Sequence, residues 1–273
     1  MHAQLNGRPA TADQLAAAAV GGYGHFTTLR VTDRRARGLD EHLDRLADGN
    51  RRVFDAELDR AFVRACLRRA TPAEGTVIAR VTSVGPPSTC SPDVLVTVRE
   101  AANAPTPVRL RTVRADRAIP TIKHVGTFAQ HFHARSARNA GYDDALFVTA
   151  DGYVSETSVC NVGFIEHARN RIGGADGDSG TVGEDITVVW PRAPMLTGVT
   201  QTLLTRGLER LGVAVEHRRI PLSELGMFRA AFVCNAGSLL RPVTAVDDVT
   251  FPVDPESLAL LWRAYETNPA EPI

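Results

Sequence analysis

Apolar and polar positions alternate along Thr27–Val31, a run rich in β-branched residues. They then change to helical spacing in LDEHLDRLADGNRRVF, where Leu39, His42, Leu43 and Leu46 share one face. The change of period predicts a strand followed by an amphipathic helix over Leu39–Phe54. A second helix is expected over Ala56–Arg69, with Leu58, Phe62, Ala65 and Cys66 at helical spacing. GTVIARVTSV and SPDVLVTVRE then read as two strands joined by the turn-forming GPPST, so residues 1–100 form a small α+β domain in this reading.

The segment AANAPTP, residues 101–107, fits neither period and carries two prolines, as expected of a short stiff linker. The second domain, 108–273, opens with a strand over Val108–Val113 and a helix over Ala129–Ala140 stopped by Gly141. Two β runs flank Ala150-Asp151-Gly152, a hairpin signal. Strands NVGFIE and DITVVW follow, separated by a Gly-, Asp- and Ser-rich stretch, Asn170–Gly183, that reads as a mobile surface insertion. A helix over Val199–Leu211 stopped by Gly212, strands VAVEHRRI and AAFVCNA, and a terminal helix SLALLWRAYE complete the chain. No internal repeat is present.

With 273 residues, 44% of them hydrophobic, the chain can bury two cores, and its 31 basic and 31 acidic residues cancel. A neutral chain lacks the basic footprint of phosphate-backbone binding, so nucleic acid is not an expected partner. No apolar run is long enough to cross a bilayer, and no membrane association is expected. The four cysteines, Cys66, Cys90, Cys160 and Cys234, form no C-x-x-C pair and read as reduced, buried residues of a cytoplasmic protein.

The composition holds one anomaly: 30 of the 31 basic residues are arginine, and Lys123 is the single lysine. Arginine replaces lysine wherever a solvated charge suffices, but a guanidinium does not act as an amine nucleophile. Lys123, in IPTIKHVGTF, is therefore a candidate for covalent chemistry, a Schiff base above all; the alternative is a surviving surface lysine with no role. Glu156 ends the strand GYVSE, where a carboxylate can hold a pyridine nitrogen protonated or simply face solvent. Gly198-Val199-Thr200 opens a helix whose free N–H groups suit a phosphate, and Arg45 can supply the opposing charge. His124, His131 and His133 cluster near Lys123, but no further ligand completes a metal site, and none is expected. G-x-S-x-G, G-x-G-x-x-G and P-loop motifs are absent.

In this order the landmarks LDEHLDRL, IKH, AGYDDALFVTADGYVSETSVCNVGFI, LTGVT and AAFVCNAGSLLRPVTAVDD resemble the class IV aminotransferases. That family comprises the pyridoxal-phosphate enzymes of fold type IV, among them branched-chain and D-amino acid aminotransferases and aminodeoxychorismate lyase. The resemblance spans Leu5 to Val249 and implies a two-domain α+β fold whose larger domain carries a β-barrel-like sheet flanked by helices. By the same resemblance Lys123 would form the Schiff base and move protons, and Glu156 would bind the pyridine nitrogen. Arg45, Val199, Thr200 and the backbone at Asn235 and Ala236 would hold the phosphate, with Leu196 against the ring. A homodimer is implied.

The chain departs from the family's pattern at Phe128, where a tyrosine is usual, at Thr157 in place of glycine, and at Gln201 in place of arginine. Tyr23, His25, Thr28 and Arg117 are candidate substrate contacts, the arginine for a carboxylate. The leading expectation is amino transfer between an amino acid or amine and a 2-oxo acid. The alternatives are an aminodeoxychorismate lyase releasing pyruvate and a non-catalytic family member.

Overall fold

The computed structural model describes residues 2–101, 106–167 and 186–273. The interior of the expected linker and the expected insertion at 170–183 lie outside the described residues. Contacts divide the chain into two units, one of Met1–Asn103, Ile122–Thr127 and Pro269–Ile273, the other of Ala104–Thr121 and Phe128–Asn268. A single boundary at 101–107 therefore does not describe the partition. Backbone pairing draws the Lys123 segment to the strand Gly24–Thr32, through a His25–His124 bridge, and pairs Ala270–Pro272 with Arg35–Arg37.

The first unit carries β1 (His2–Leu5), β2 (Arg8–Pro9), β3 (Gly24–Thr32), β4 (Arg35–Arg37), β5 (Thr76–Val84) and β6 (Asp93–Glu100). With the C-terminal strand Ala270–Pro272 they form a seven-stranded sheet in the order C-terminal strand, β4, β3, β5, β6, β1, β2. Helix α1 (Ala12–Gly21) buries no residue and is started by a capping box between Thr11 and Gln14. Its alanine run carries no amphipathic period, which is why the hydrophobic pattern missed it.

Helix α2 spans Leu39–Phe54 as expected and buries Leu39, His42, Leu43 and Leu46. Helix α3 begins only at Arg60, because Asp59 accepts the Phe62 N–H and caps it there. The buried stripe is Val63, Cys66, Leu67 and Ala70, packed against the sheet, and Phe62 is 38% exposed, contrary to the expected face. These helices pack with Leu29, Val31, Ala79, Val81 and Val96 into one core. Cys90 also departs from expectation: it is exposed, in the loop between β5 and β6, whereas Cys66, Cys160 and Cys234 are buried and all four are free thiols.

In the second unit, β7 (Val108–Arg114), β8 (Asp144–Val148), β9 (Val154–Thr157), β10 (Asn161–His167), β11 (Ile186–Pro191), β12 (Ala214–Arg218), β13 (Ala230–Asn235), β14 (Leu239–Val246) and β15 (Val249–Thr250) build one sheet. Its path β10, β13, β14, β7, β8, β9 returns to β10 through the Asn161–Glu156 pair, so these strands close into a barrel. Alternation along each strand separates two cores. Val162, Phe164, Val233 and Val243 fill the interior, while Ile165, Phe232 and Cys234 face α5 (Val199–Arg210) and α6 (Pro255–Glu266). Strand β14 was not expected: LLRPVTAV is mostly apolar, but Arg241, Pro242 and Thr244 break any clear alternation. Helix α4 (Phe128–Asn139) ends at a turn where Gly141 takes φ +86°, the left-handed stop read from the sequence.

Helices α5 and α6 approach closely enough that a Cβ on Gly207 would lie 1.9 Å from the Ala264 carbonyl oxygen. Backbone cannot yield as a side-chain tip does, so Gly207→Ala is expected to destabilise the protein by about 1–3 kcal/mol. A lowered thermal midpoint would show this, while Gly212→Ala, beyond the helix end, should leave the α5–α6 packing intact.

Candidate active site

In the first unit the residues around Lys123 are held by β3. The Phe26 N–H donates to the Lys123 carbonyl at 2.9 Å, and the Val125 N–H donates to the Gly24 carbonyl at 3.0 Å. This pins a loop lysine to a strand edge and leaves its side chain half-buried. Its Nζ stands 5.0 Å from the centre of the Phe26 ring, and the Arg80 guanidinium carbon stands 3.5 Å from the same centre. Arg80 lies opposite Thr28 in the β3–β5 ladder, so Phe26, Thr28 and Arg80 share one face of the sheet.

Arg80 is half-buried, its Nε donates to Thr82 Oγ1 at 3.3 Å, and no carboxylate among the described residues pairs with it. Burial lowers its pKa from the ordinary value. Sequence reading missed Arg80, because it is one arginine among 30 and only the ladder places it near Lys123.

On the opposite face of β3 lie two buried histidines, His25 of β3 itself and His42 of α2. His42 Nδ1 lies 2.6 Å from Thr27 Oγ1, and His25 Nε2 lies 2.9 Å from Asn50 Oδ1. Burial holds His42 well below the usual imidazole range, and the positive charges of Arg45 and Lys123 push the same way. His25 is lowered by burial as well, against the opposing hydrogen bond to Asn50 Oδ1 and the charge of Asp48. Gly49 gives the His25 ring its space, since a Cβ there would meet Nδ1 at 2.3 Å.

In the second unit the barrel closure gathers several of the other expected residues. Glu156 is 3% exposed at the end of β9, and Arg117 Nε donates to its Oε1 at 2.6 Å. Across the closure Asn161 donates from Nδ2 to the Leu196 carbonyl at 2.8 Å. Its Oδ1 lies 2.0 Å from where a Gly198 Cβ would stand, so only glycine fits at the start of α5. Gly198 makes no side-chain cap there, and the N–H groups of Val199 and Thr200, both buried, find no acceptor among the described residues. Gln201 Oε1 is likewise buried without a partner.

Open, buried donors at a helix N-terminus fit a phosphate, and a buried carboxylate at a strand end fits a protonated ring nitrogen. The residues present therefore fit pyridoxal phosphate. Asn235 organises the neighbouring turn: its Oδ1 accepts from the Gly237 and Ser238 N–H groups, both at 2.8 Å, and its Nδ2 lies 3.0 Å from Cys160 Sγ. Burial, its largest influence, pushes the Cys160 thiol up to about 12 and makes it an inert packing group.

The candidate substrate contacts fare differently. The Tyr23 hydroxyl donates to the Val53 carbonyl at 2.9 Å and its ring packs edge-on against Phe54, so its polar atom is already engaged with α2. His25 is buried within the first unit, Thr28 lies on the Arg80 face, and Arg117 spends its guanidinium edge on Glu156. His131 is exposed on α4, and His133 packs against Phe132 and Phe147. Phe128, where the family usually has tyrosine, is 81% exposed and brings no hydroxyl.

A family model for amino-transferase class IV matches residues 24–246. The chain belongs to the class IV aminotransferases. A bifunctional aminodeoxychorismate lyase / D-amino acid transaminase of Mycobacterium tuberculosis is 26% identical over 270 residues, covering 89% of this chain and 88% of that protein. Among solved structures, a hypothetical aminotransferase from Mycobacterium tuberculosis in its PLP-bound form superposes with a TM-score of 0.77 at 21% identity, covering 97% of both chains. A fold IV transaminase from Curtobacterium pusillum gives 0.73 at 25% identity, covering 90% of this chain and 88% of that one. As a class IV aminotransferase the protein is a pyridoxal-phosphate enzyme with the two-domain α+β fold of type IV. Among the described residues no helix is long and apolar enough to cross a membrane.

The buried histidines give this class IV enzyme a pH signature. Above about pH 6.5 neither the folded nor the unfolded state holds an extra proton on His42. Below it the unfolded chain takes the proton while the folded state, with its depressed pKa, does not. Stability therefore falls as pH drops, by up to about 1.4 kcal/mol per pH unit for each such histidine. Urea unfolding between about pH 7 and pH 5.5 should show a shallower slope for His42→Gln than for wild type.

Proposed function

We propose that the protein is an aminotransferase in which Lys123 is the amine that binds the cofactor aldehyde and carries the proton, moving an amino group between an amino acid or amine and a 2-oxo acid. The observation that carries this reading is the setting of the one lysine. It is half-buried on a strand edge, against Phe26, within the electrostatic reach of a neutral His42.

The bound cofactor supplies an electron sink for the substrate's Cα carbanion. The chain's residues do the rest. Glu156 holds the ring nitrogen, Leu196 packs against the ring, and the N–H groups of Val199 and Thr200, with Arg45 and the backbone at Asn235 and Ala236, bind the phosphate. Arg80, stacked on Phe26 without an anionic partner among the described residues, takes a substrate carboxylate in this reading, a better candidate than Arg117. Thr28 lines the same face. The enzyme works as a homodimer in the cytoplasm, a reading supported by family resemblance and by four unpaired thiols.

The likeness to the bifunctional lyase and transaminase of Mycobacterium tuberculosis favours a second reading, elimination from aminodeoxychorismate with release of pyruvate. Both reactions begin with loss of the substrate's Cα proton, and they part at whether a leaving group departs. A coupled pyruvate assay run beside an amino-transfer assay over L- and D-amino acids separates them.

Borohydride treatment of the holoprotein should fix the cofactor to the peptide carrying Lys123, and Lys123→Ala should yield colourless, unlabelled protein; a label fixed elsewhere would refute the assignment. Arg80→Gln should raise KM for 2-oxo acids about tenfold or more while leaving cofactor uptake unchanged, as loss of a charge-assisted pair predicts.

A further inference from the structure

The pairing of Arg117 with Glu156 is a feature that the expected roles of neither residue contain. Both side chains are 4% exposed, and Nε meets Oε1 at 2.6 Å. An isolated carboxylate is unstable in such surroundings and takes up a proton unless a cation and hydrogen bonds compensate it. Arg117 precedes Lys123 on the stretch leaving β7, and its side chain reaches 39 residues along the chain to the strand end at the barrel closure. A guanidinium suits the task because it stays charged when buried and presents a directional N–H edge.

Resting on the reading that Glu156 holds the cofactor's ring nitrogen, we propose that Arg117 is a positioning residue that keeps Glu156 an oriented carboxylate, so that the shared proton stays on the ring and not on the glutamate. A carboxylate and a pyridine in contact share one proton, and its location decides how strongly the ring withdraws electrons. A cation fixed against the carboxylate favours carboxylate and pyridinium. Removing that cation favours carboxylic acid and neutral pyridine, because the glutamate is the nearer of the two groups.

The test uses full-length wild type, Arg117→Met, Arg117→Lys, Glu156→Gln and the double variant Arg117→Met/Glu156→Gln. In cofactor-free protein at neutral pH, infrared difference spectra should show a protonated-carboxyl band in Arg117→Met that is absent from wild type and from the double variant. After loading with pyridoxal phosphate labelled with ¹⁵N at the ring nitrogen, the NMR shift should move from the protonated value in wild type toward the neutral-pyridine value in Arg117→Met. Arg117→Lys should restore most of the wild-type shift. If Arg117→Met does not fold, the comparison of Arg117→Lys with wild type still reads the same shift, expected to be partial.

A ring that stays fully protonated in the Arg117 variants, with Glu156 ionised in the cofactor-free form, overturns the proposal and leaves Arg117 a structural residue. A wild-type protein that takes up no labelled cofactor overturns instead the reading beneath it. The infrared arm, which needs no cofactor, keeps the two failures apart.

Discussion

The pairing of Asn161 with Glu156 is the contact on which the second unit turns. It joins the edge of β9 to the start of β10, whose remainder pairs with β11, and so converts an open path into a closed barrel. The same two residues then serve separate ends. Glu156 is carried into a dry interior where its charge is met by Arg117, and Asn161 ties the closure to the Leu196 carbonyl just ahead of α5. Gly198 has no side chain because Asn161 occupies that space, and the helix therefore starts with buried N–H groups and no capping side chain. One backbone pairing thus positions both a buried carboxylate and a helix start without a capping side chain.

The first unit solves a different problem, how to fix a lysine that lies in a loop. Two backbone hydrogen bonds to the edge of β3 supply the rigidity, and the sheet's alternation separates the surroundings into two kinds. One face holds Phe26 with two cations against its ring. The other buries His25 and His42, whose hydrogen-bonded partners Asn50 and Thr27 make neutral imidazoles tolerable inside the core. Keeping these histidines uncharged limits the positive charge that accumulates around Lys123 and Arg45.

Much of this was legible in the residues. The period of LDEHLDRLADGNRRVF located α2 to the residue, the Asp-Gly turn located the β8–β9 hairpin, and the lysine count pointed to Lys123 before any motif was considered. The errors have equally local causes. Asp59 capped α3 later than the apolar spacing suggested, Cys90 fell in a surface loop, and β14 hid in a stretch without clear alternation. Arg117 was read as a ligand for a substrate carboxylate, and in the structure its Nε meets the carboxylate of the protein's own Glu156.

Local patterns in a chain report helix faces, strand alternation and turn chemistry, because each depends on neighbours within a few positions. They also report scarcity, and a single amine among thirty guanidiniums is visible without a fold. Which arginine pairs with a buried carboxylate, which one stacks on Phe26 beside the lysine, and where a sheet closes are set by residues tens of positions apart. Those outcomes depend on strand register and burial, and both arise only when the chain has packed.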